Sequence, residues 1–289
     1  MLFSTQNCHI LEKIGPIEAT KILIDAGFTA LDCSMMSLTH FPFATENYKE
    51  IAKEMRAYAD AKGVPFNQAH APFGTYDEYM NLVAPRIERA FETAAILGIK
   101  SIVIHPTQPV DYYGNEEKIF NLNLDLYRSL APLSRKYGVK IAIENMWSRD
   151  PMLKRICDAI CADPRELARM YDELNDPEVF TICLDLGHVA LCGRRPEDAI
   201  RIIGSRLGAL HVHDVVENRD MHTIPGLGII NWDKVARALA EVDYCGEITL
   251  EADQFYNNFT DDVIPAAAAL LAATAKSIAD RVEAYKKER

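Results

Sequence analysis

Side chains of the types that bind metal ions follow a series of short apolar runs along the chain. The residues concerned are His70, His105, Glu144, Asp185, His188, His211, His213 and Glu251. A single histidine in such a place is more often a hydrogen-bonded structural residue. Several carboxylates that converge without a cation, however, repel one another and lose their solvation. The pattern therefore predicts a divalent metal site, and its mixture of carboxylate and imidazole suits Mn²⁺, Zn²⁺, Fe²⁺ or Co²⁺ better than Ca²⁺ or Mg²⁺.

A second pair of ligand types lies farther along, where Asp220 and His222 are separated by one residue. In an extended segment, side chains two residues apart point the same way, so the two can bind one ion. A solvated acidic loop is the alternative that spacing alone leaves open. A glycine-rich turn and Trp232 follow the pair.

The elements that position these residues alternate regularly along the chain. Short β-branched or apolar runs alternate with helical patterns, as in parallel strands joined by helical crossovers. Glycines at 27, 63, 98 and 138 stand where helices are predicted to end. Strands are predicted near 2–5, 30–34, 65–70, 101–106, 140–145, 180–188, 209–214 and 247–252. Helices are predicted over 17–26, 47–62, 82–97, 116–137, 164–174, 196–203, 231–242 and from 260 onward.

Eight such units predict an α/β protein whose residues 1–289 form one (β/α)8 barrel. Barrels of this kind typically occupy about 250 residues as a single domain. Their active-site groups lie at the C-terminal ends of the strands. The polar residues that close the predicted strands should therefore meet at one mouth of the barrel.

The charge and the cysteine content of the chain indicate which partners and which cellular setting to expect. The chain has 31 basic and 42 acidic residues, a net charge of −11, so no general attraction to nucleic acid or anionic membrane is expected. Seven cysteines without a CxxC pair predict reduced thiols and a cytoplasmic setting. We expect a soluble protein without a signal peptide, and the longest apolar stretch, 263–275, is too short and alanine-rich to span a bilayer. Apolar helix faces allow a homo-oligomer, although the barrel needs such faces itself.

Five segments together resemble a known family: IENM, LDLGH, LHVHD, DMHTIPGLGIINW and ITLEAD. They are similar to the sugar phosphate isomerase/epimerase group of xylose isomerase-like barrels, and the similarity covers nearly the whole chain. That group includes ketose 3-epimerases, inosose isomerases and dehydratases, hydroxypyruvate isomerases and, more distantly, zinc-dependent apurinic endonucleases. The resemblance implies a xylose isomerase-like TIM barrel that acts on a small sugar or sugar-like substrate.

The resemblance also implies roles for individual residues. The principal metal would be held by Glu144, Asp185, His211 and Glu251, and the two glutamates would also exchange protons with the substrate carbon. His188 and Arg219 would contact substrate oxygens, although Arg219 lies slightly farther beyond His211 than in the ketose epimerases. His70, His105 and Trp147 complete the substrate-binding candidates. Aromatic residues in the strand-end loops could pack on a sugar ring, namely Phe73, Tyr76, Tyr112, Tyr113, Trp147, Phe255 and Tyr256.

The endonuclease pattern leaves an alternative open, because the ligand types of its three-zinc cluster are all present. Its additional ligands would be His70, His105, His188, Asp220 and His222. The preferred hypothesis is an isomerase or epimerase dependent on Mn²⁺ or Zn²⁺, with Co²⁺ or Fe²⁺ as further candidates, that moves a proton through a metal-stabilised enediolate. The rivals are a multi-metal phosphoesterase and a non-catalytic sugar-binding barrel.

Overall fold

Eight parallel strands form a closed barrel in the computed structural model, which describes residues 1–36, 45–217, 219–257 and 259–289. Strands two to seven form one continuous sheet, and the first strand pairs with the eighth. Bridges between Gln6 and Asp32 and between Val212 and Leu250 join these two sheets. The (β/α)8 prediction is confirmed. In order, the barrel strands are Phe3–Thr5, Leu31–Ser34, Phe66–His70, Ser101–Ile104, Lys140–Glu144, Phe180–Asp185, Leu207–His211 and Ile248–Leu250.

The strands are apolar on both faces, because one face packs against the outer helices and the other faces the barrel interior. Small side chains from four neighbouring strands, Val103, Ala142, Cys183 and Ala209, pack together inside the barrel. Large apolar residues of the strands and helices form the outer core. The small interior residues leave room at the C-terminal ends of the strands for the longer polar side chains described below.

An outer layer of helices packs around the strands. Three of these helices end at a glycine in the left-handed region, Gly63, Gly98 and Gly138, as the sequence predicts. In the described part of the chain, no helix is both long and apolar enough to cross a membrane. The helices of this layer are Pro16–Asp25, Tyr48–Lys62, Ile87–Leu97, Glu116–Tyr137, Pro164–Leu174, Pro196–Ile203, Trp232–Glu241 and Ile264–Lys287.

Two predicted boundaries are wrong for identifiable reasons. The sixth strand does not continue to residue 188, because the Asp185 side chain accepts a hydrogen bond from the His188 backbone N–H at 2.6 Å and begins the helix Leu186–Leu191. The helix predicted over 82–97 is interrupted, with a π-helical turn at Tyr79–Val83 and a 3₁₀ turn at Ala84–Arg86 before Ile87. Pro85 lies within that 3₁₀ turn and has no backbone N–H to donate.

Several short elements at the mouth of the barrel have no counterpart in the predicted pattern. The helix Cys8–Ile14 follows the first strand. A hairpin pairs Trp147–Arg149 with Ile156–Asp158 after the fifth strand, and another pairs Asp214–Val216 with Arg219–Thr223 after the seventh. These elements surround the strand ends that carry the candidate ligands.

Asp214 fixes the loop that follows the second hairpin. Its buried carboxylate accepts hydrogen bonds from the backbone N–H groups of Val215, Gly226 and Ile230 at 3.1, 2.8 and 3.2 Å. It also accepts one from the Trp232 indole N–H at 2.9 Å. The hairpin that carries Asp220 and His222 is thereby held against the barrel.

We expect Asp214→Ala to lower the free energy of unfolding by about 3 kcal/mol or more, because it leaves several buried donors without an acceptor. Urea unfolding followed by circular dichroism would measure this change. Glu54→Ala, on an exposed position of the helix Tyr48–Lys62, is the control and should change the stability by less than about 0.5 kcal/mol. Equal stability of the two variants would contradict the anchoring role of Asp214.

Candidate metal centre

Three barrel strands end in side chains that meet at one buried point. The Nδ1 atom of His211 lies 2.7 Å from Glu144 Oε1 and 2.9 Å from Glu251 Oε2. Asp185 Oδ2 is 3.9 Å from the same nitrogen. Glu144, Asp185 and His211 are fully buried and Glu251 is 3% exposed. The structure thus brings together the four residues that the sequence predicts as principal metal ligands.

The free atoms of this cluster suit a cation. Glu144 Oε2 and Glu251 Oε2 are buried and have no hydrogen-bond partner among the described residues. His105 Nε2 lies only 2.9 Å from Glu144 Oε2, yet the two atoms do not have hydrogen-bond geometry. Carboxylate oxygens and imidazole nitrogens that converge in this way are arranged as metal ligands are, and the donor types match those of Mn²⁺ and Zn²⁺ sites.

The charges in the cluster depend strongly on one another. Burial alone would raise the pKa of Glu144, but the adjacent His211 and His105 outweigh it and hold the pKa well below its ordinary value. Burial would lower the pKa of His211, whereas Cys183, Glu251 and Glu144 raise it well above the usual value. An ionised Glu144 carboxylate and a protonated His211 imidazole therefore stabilise each other in this cluster.

A second group of donors shares Glu144. His70 Nε2 and His105 Nε2 are 3.0 Å apart, and they lie 3.6 and 2.9 Å from Glu144 Oε2. The other ring nitrogen of His70 is hydrogen-bonded to the Ala71 carbonyl at 2.7 Å, which orients the ring. These three donors lie close enough together to bind one ion.

A third group lies on the other side of Asp185. His222 Nε2 and His188 Nε2 are 3.2 and 3.6 Å from Asp220 Oδ2. His213 belongs to this group, and its Nε2 is 3.1 Å from both Asp185 oxygens. The Asp220–His222 pair thus lies at the site rather than in a solvated loop. His213 is among the strand-end residues of metal-binding type in the sequence, but it is absent from the predicted ligand sets, although it lies only two residues beyond His211 in LHVHD.

Asn145 and Gln6, which the sequence analysis does not identify, hold two of the ligands in place by hydrogen bonds. The Asn145 side chain accepts from the Asp185 N–H at 2.7 Å and donates to the Asp185 carbonyl at 2.9 Å. Gln6 donates to Glu251 Oε1 at 2.8 Å, which leaves Oε2 directed at the cluster. Gln6 directly follows the first barrel strand, so the strand-end rule that found the ligands could have identified it.

A cavity of about 880 Å³ opens above the ligands. Glu144, Asp185, His211 and His70 are buried and are not among the residues that line it. Of the predicted substrate-binding residues, His105, His188 and Trp147 line the cavity. The cavity is lined by eight residues that the sequence predicts as substrate walls or metal ligands, namely Phe73, Tyr76, His105, Trp147, His188, Asp220, His222 and Glu251.

Other predicted substrate contacts lie elsewhere. Arg219 is exposed in the hairpin strand Arg219–Thr223 and does not line the cavity, so its role stays a prediction. Tyr112, Tyr113, Phe255 and Tyr256 do not line it either. Tyr256 is fully buried in the apolar core, and Phe255 packs against that core. Trp147 donates its indole N–H to Asp220 Oδ2 at 3.0 Å, which fixes one wall of the cavity to the third donor group.

Metal binding should release protons. Burial would lower the pKa of the ligand His211, but Cys183, Glu251 and Glu144 raise it well above its usual value. Because metals bind neutral imidazole, the affinity should rise with pH below this pKa, by about tenfold per pH unit for each proton released. Calorimetric titration at pH 7 in two buffers of different ionisation enthalpy would measure the release. Identical heats in both buffers would contradict it.

Comparison with known proteins identifies the family. The model of the xylose isomerase-like TIM barrel family matches residues 21–274, and the chain belongs to that family. A D-psicose 3-epimerase of Enterocloster bolteae is 26% identical over 242 residues, 78% of this chain and 72% of that protein. An inosose dehydratase of Bacillus cereus is 30% identical over 106 residues, 31% of this chain and 35% of that protein. The chain is thus related to sugar epimerases and inosose dehydratases.

Solved structures agree on the fold. A D-tagatose 3-epimerase-like protein matches with a TM-score of 0.74 at 19% identity, over 100% of this chain and 99% of that chain. An IOLI protein with a bound zinc atom matches with a TM-score of 0.73 at 18% identity, over 99% of each chain.

An uncharacterised Methanocaldococcus jannaschii protein is 27% identical to this chain over 191 residues, which are 63% of this chain. The match spans 62% of the length of that protein.

Proposed function

We propose that this protein is a divalent-metal-dependent isomerase or epimerase that acts on a ketose, an inosose or a related sugar. The observation that carries the proposal is the position of Glu251. Its Oε2 atom lies 2.9 Å from His211 Nδ1 in the ligand cluster, and the residue also lines the cavity. A carboxylate in both places can accept a proton from a substrate whose carbonyl lies beside the cation.

The cation would be held by Glu144, Asp185, His211 and Glu251, and when bound it would polarise the substrate carbonyl and stabilise the charge of the enediolate. Mn²⁺ and Zn²⁺ both suit these donors, and so do Co²⁺ and Fe²⁺. Support comes from the three buried carboxylates around His211 Nδ1 and from two carboxylate oxygens that have no hydrogen-bond partner among the described residues.

The chain's own groups would divide the remaining work. Glu251 would remove the proton from the carbon next to the carbonyl, and Gln6 would hold its other oxygen in place. Glu144, predicted as the second proton-exchanging group, is fully buried and does not line the cavity, so its contact with the substrate stays a prediction. His188, whose pKa near 10 keeps it protonated, would donate to a substrate oxygen, and Trp147 would pack on the sugar ring.

Proton exchange with solvent tests this function whichever product the enzyme forms. The metal-loaded protein would be incubated in D₂O with a panel of free ketoses, ketose phosphates and inososes, and followed by NMR. Metal-dependent deuterium incorporation next to the carbonyl of at least one compound is the expected result. Absence of exchange throughout the panel, in protein shown to contain metal, would contradict the proposal.

The second candidate is a multi-metal phosphoesterase, favoured by one specific observation. The groups His70–His105–Glu144 and His188–His213–Asp220–His222 could each hold an ion beside the principal one. Two or three ions can generate hydroxide and neutralise the leaving oxygen of a phosphate ester. The net charge of −11 weighs against a nucleic acid substrate.

Metal stoichiometry with a paired activity assay separates the candidates. One ion in the principal cluster and none in the two donor groups beside it, together with ketose exchange, favours the isomerase. Zinc in all three of these places, together with cleavage of bis(p-nitrophenyl) phosphate, favours the phosphoesterase. A ligand affinity that metal removal leaves unchanged would instead favour a non-catalytic sugar-binding barrel.

A further inference from the structure

We infer that Cys8, His9 and Asp253 form a separate zinc-type metal site at the rim of the cavity. Cys8 and His9 begin the short helix after the first strand, and Asp253 follows the eighth strand. All three line the cavity. This inference does not depend on the proposed isomerase activity, because none of the three belongs to the principal ligands or to the two donor groups beside them.

The three donor atoms lie in mutual contact. Cys8 Sγ is 2.9 Å from Asp253 Oδ2, and His9 Nδ1 is 2.8 Å from the same oxygen. Cys8 Sγ and His9 Nδ1 are themselves 3.2 Å apart. Cys8 and His9 are adjacent, and Asp253 lies more than 240 positions farther along the chain. The three residues place a sulfur, a nitrogen and an oxygen at the corners of a small triangle.

That triangle is close to one face of a zinc tetrahedron. With metal–ligand distances of about 2.3 Å for sulfur and about 2.0–2.2 Å for nitrogen and oxygen, neighbouring donors around Zn²⁺ are about 3.4–3.6 Å apart. Each donor pair here needs to separate by only about 0.4–0.7 Å to accept an ion. The fourth coordination position would then face the cavity, where water or a bound molecule can occupy it.

The donor chemistry points to a soft or borderline cation rather than to Ca²⁺ or Mg²⁺. Cysteine and histidine with one carboxylate are typical zinc ligands, and a metal-bound thiol loses its proton. Asp253 Oδ2 is the atom that both Cys8 Sγ and His9 Nδ1 contact, so a cation between the three atoms would take the place of the protons that now link them. The other oxygen, Oδ1, lies 3.4 Å from His222 Nδ1 and so connects this rim site to the third donor group.

Cobalt substitution tests the site, because a thiolate bound to Co²⁺ has a charge-transfer band in the near ultraviolet that oxygen and nitrogen ligands lack. We expect this band in the cobalt-loaded wild-type protein and its loss in Cys8→Ser, together with about one bound cobalt fewer per chain. Asp253→Asn should weaken the same band. Circular dichroism would verify that each variant is folded.

Cys183→Ala is the matched control, since the Cys183 sulfur lies within 4.8 Å of donor atoms of Glu144 and His211 in the principal cluster. The band should persist in this variant. A wild-type protein that binds cobalt without the band would overturn the inference. So would a band that is lost in Cys183→Ala and kept in Cys8→Ser, because it would assign the sulfur ligand to the principal cluster.

Discussion

Replacing Glu251 with glutamine should lower kcat by about 10³-fold, within the range usual for loss of a general base. The amide keeps the size of the side chain but cannot accept a proton from carbon. It also removes one anionic ligand from the cluster around His211 Nδ1. The measurement is the turnover of the best compound from the exchange panel, made with metal content determined in the same sample.

Glu247→Gln is the matched control for this prediction. Glu247 immediately precedes the eighth strand and Glu251 immediately follows it, so the same substitution is made at opposite ends of one strand. The control should keep near wild-type turnover. If Glu251→Gln also keeps it, Glu251 is not the base. If it loses turnover only because it loses metal, excess metal should restore the rate.

Removing metal should abolish activity and lower the melting temperature, Tm, by roughly 10 °C. Without a cation, Glu144, Asp185 and Glu251 remain close together in a buried site and depend on protonated imidazoles for compensation. An ion present at about 1,000 times its Kd stabilises the folded state by about 4 kcal/mol. For a domain of this size, each kcal/mol shifts Tm by about 2–4 °C. Calorimetric melting before and after chelation measures the difference.

His211→Ala makes this test specific to the principal cluster. His211 Nδ1 is the point at which the four proposed ligands meet, so the variant should lose most of the metal-dependent change in Tm, while an ion bound by Cys8, His9 and Asp253 can still contribute a small shift. The comparison is made within each protein, which cancels any direct effect of the substitution on folding. A variant that keeps the full metal-dependent shift would place the stabilising ion elsewhere.

The barrel could be predicted from sequence because local and global signals agree. Glycines such as Gly63 and Gly98 end helices directly before apolar strands, and the alternation repeats around the whole barrel. The principal ligands could be predicted for the same reason. Glu144, Asp185 and His211 each end a buried apolar strand, and parallel strands bring such ends to one mouth.

Elements with weak local patterns could not be predicted. The hairpin strands Trp147–Arg149 and Arg219–Thr223 are short and partly exposed, and each pairs with the neighbouring strand of its own hairpin rather than with a strand of the barrel. The boundary at Asp185 was missed because a buried strand and a buried helix are both apolar, so their sequences run together in LDLGHVAL. His213 belongs to the third donor group because its ring stacks on that of His222, with centroids 4.3 Å apart, a contact that spacing in the sequence does not reveal.

Anomalous diffraction from crystals grown with Mn²⁺ would locate the principal ion without reference to activity. We expect an anomalous peak between Glu144, Asp185, His211 and Glu251, with each ligand atom about 2.0–2.3 Å from the ion. A structure with saturating Mn²⁺ or Zn²⁺ that shows no ion among these four side chains would contradict the proposed metal centre.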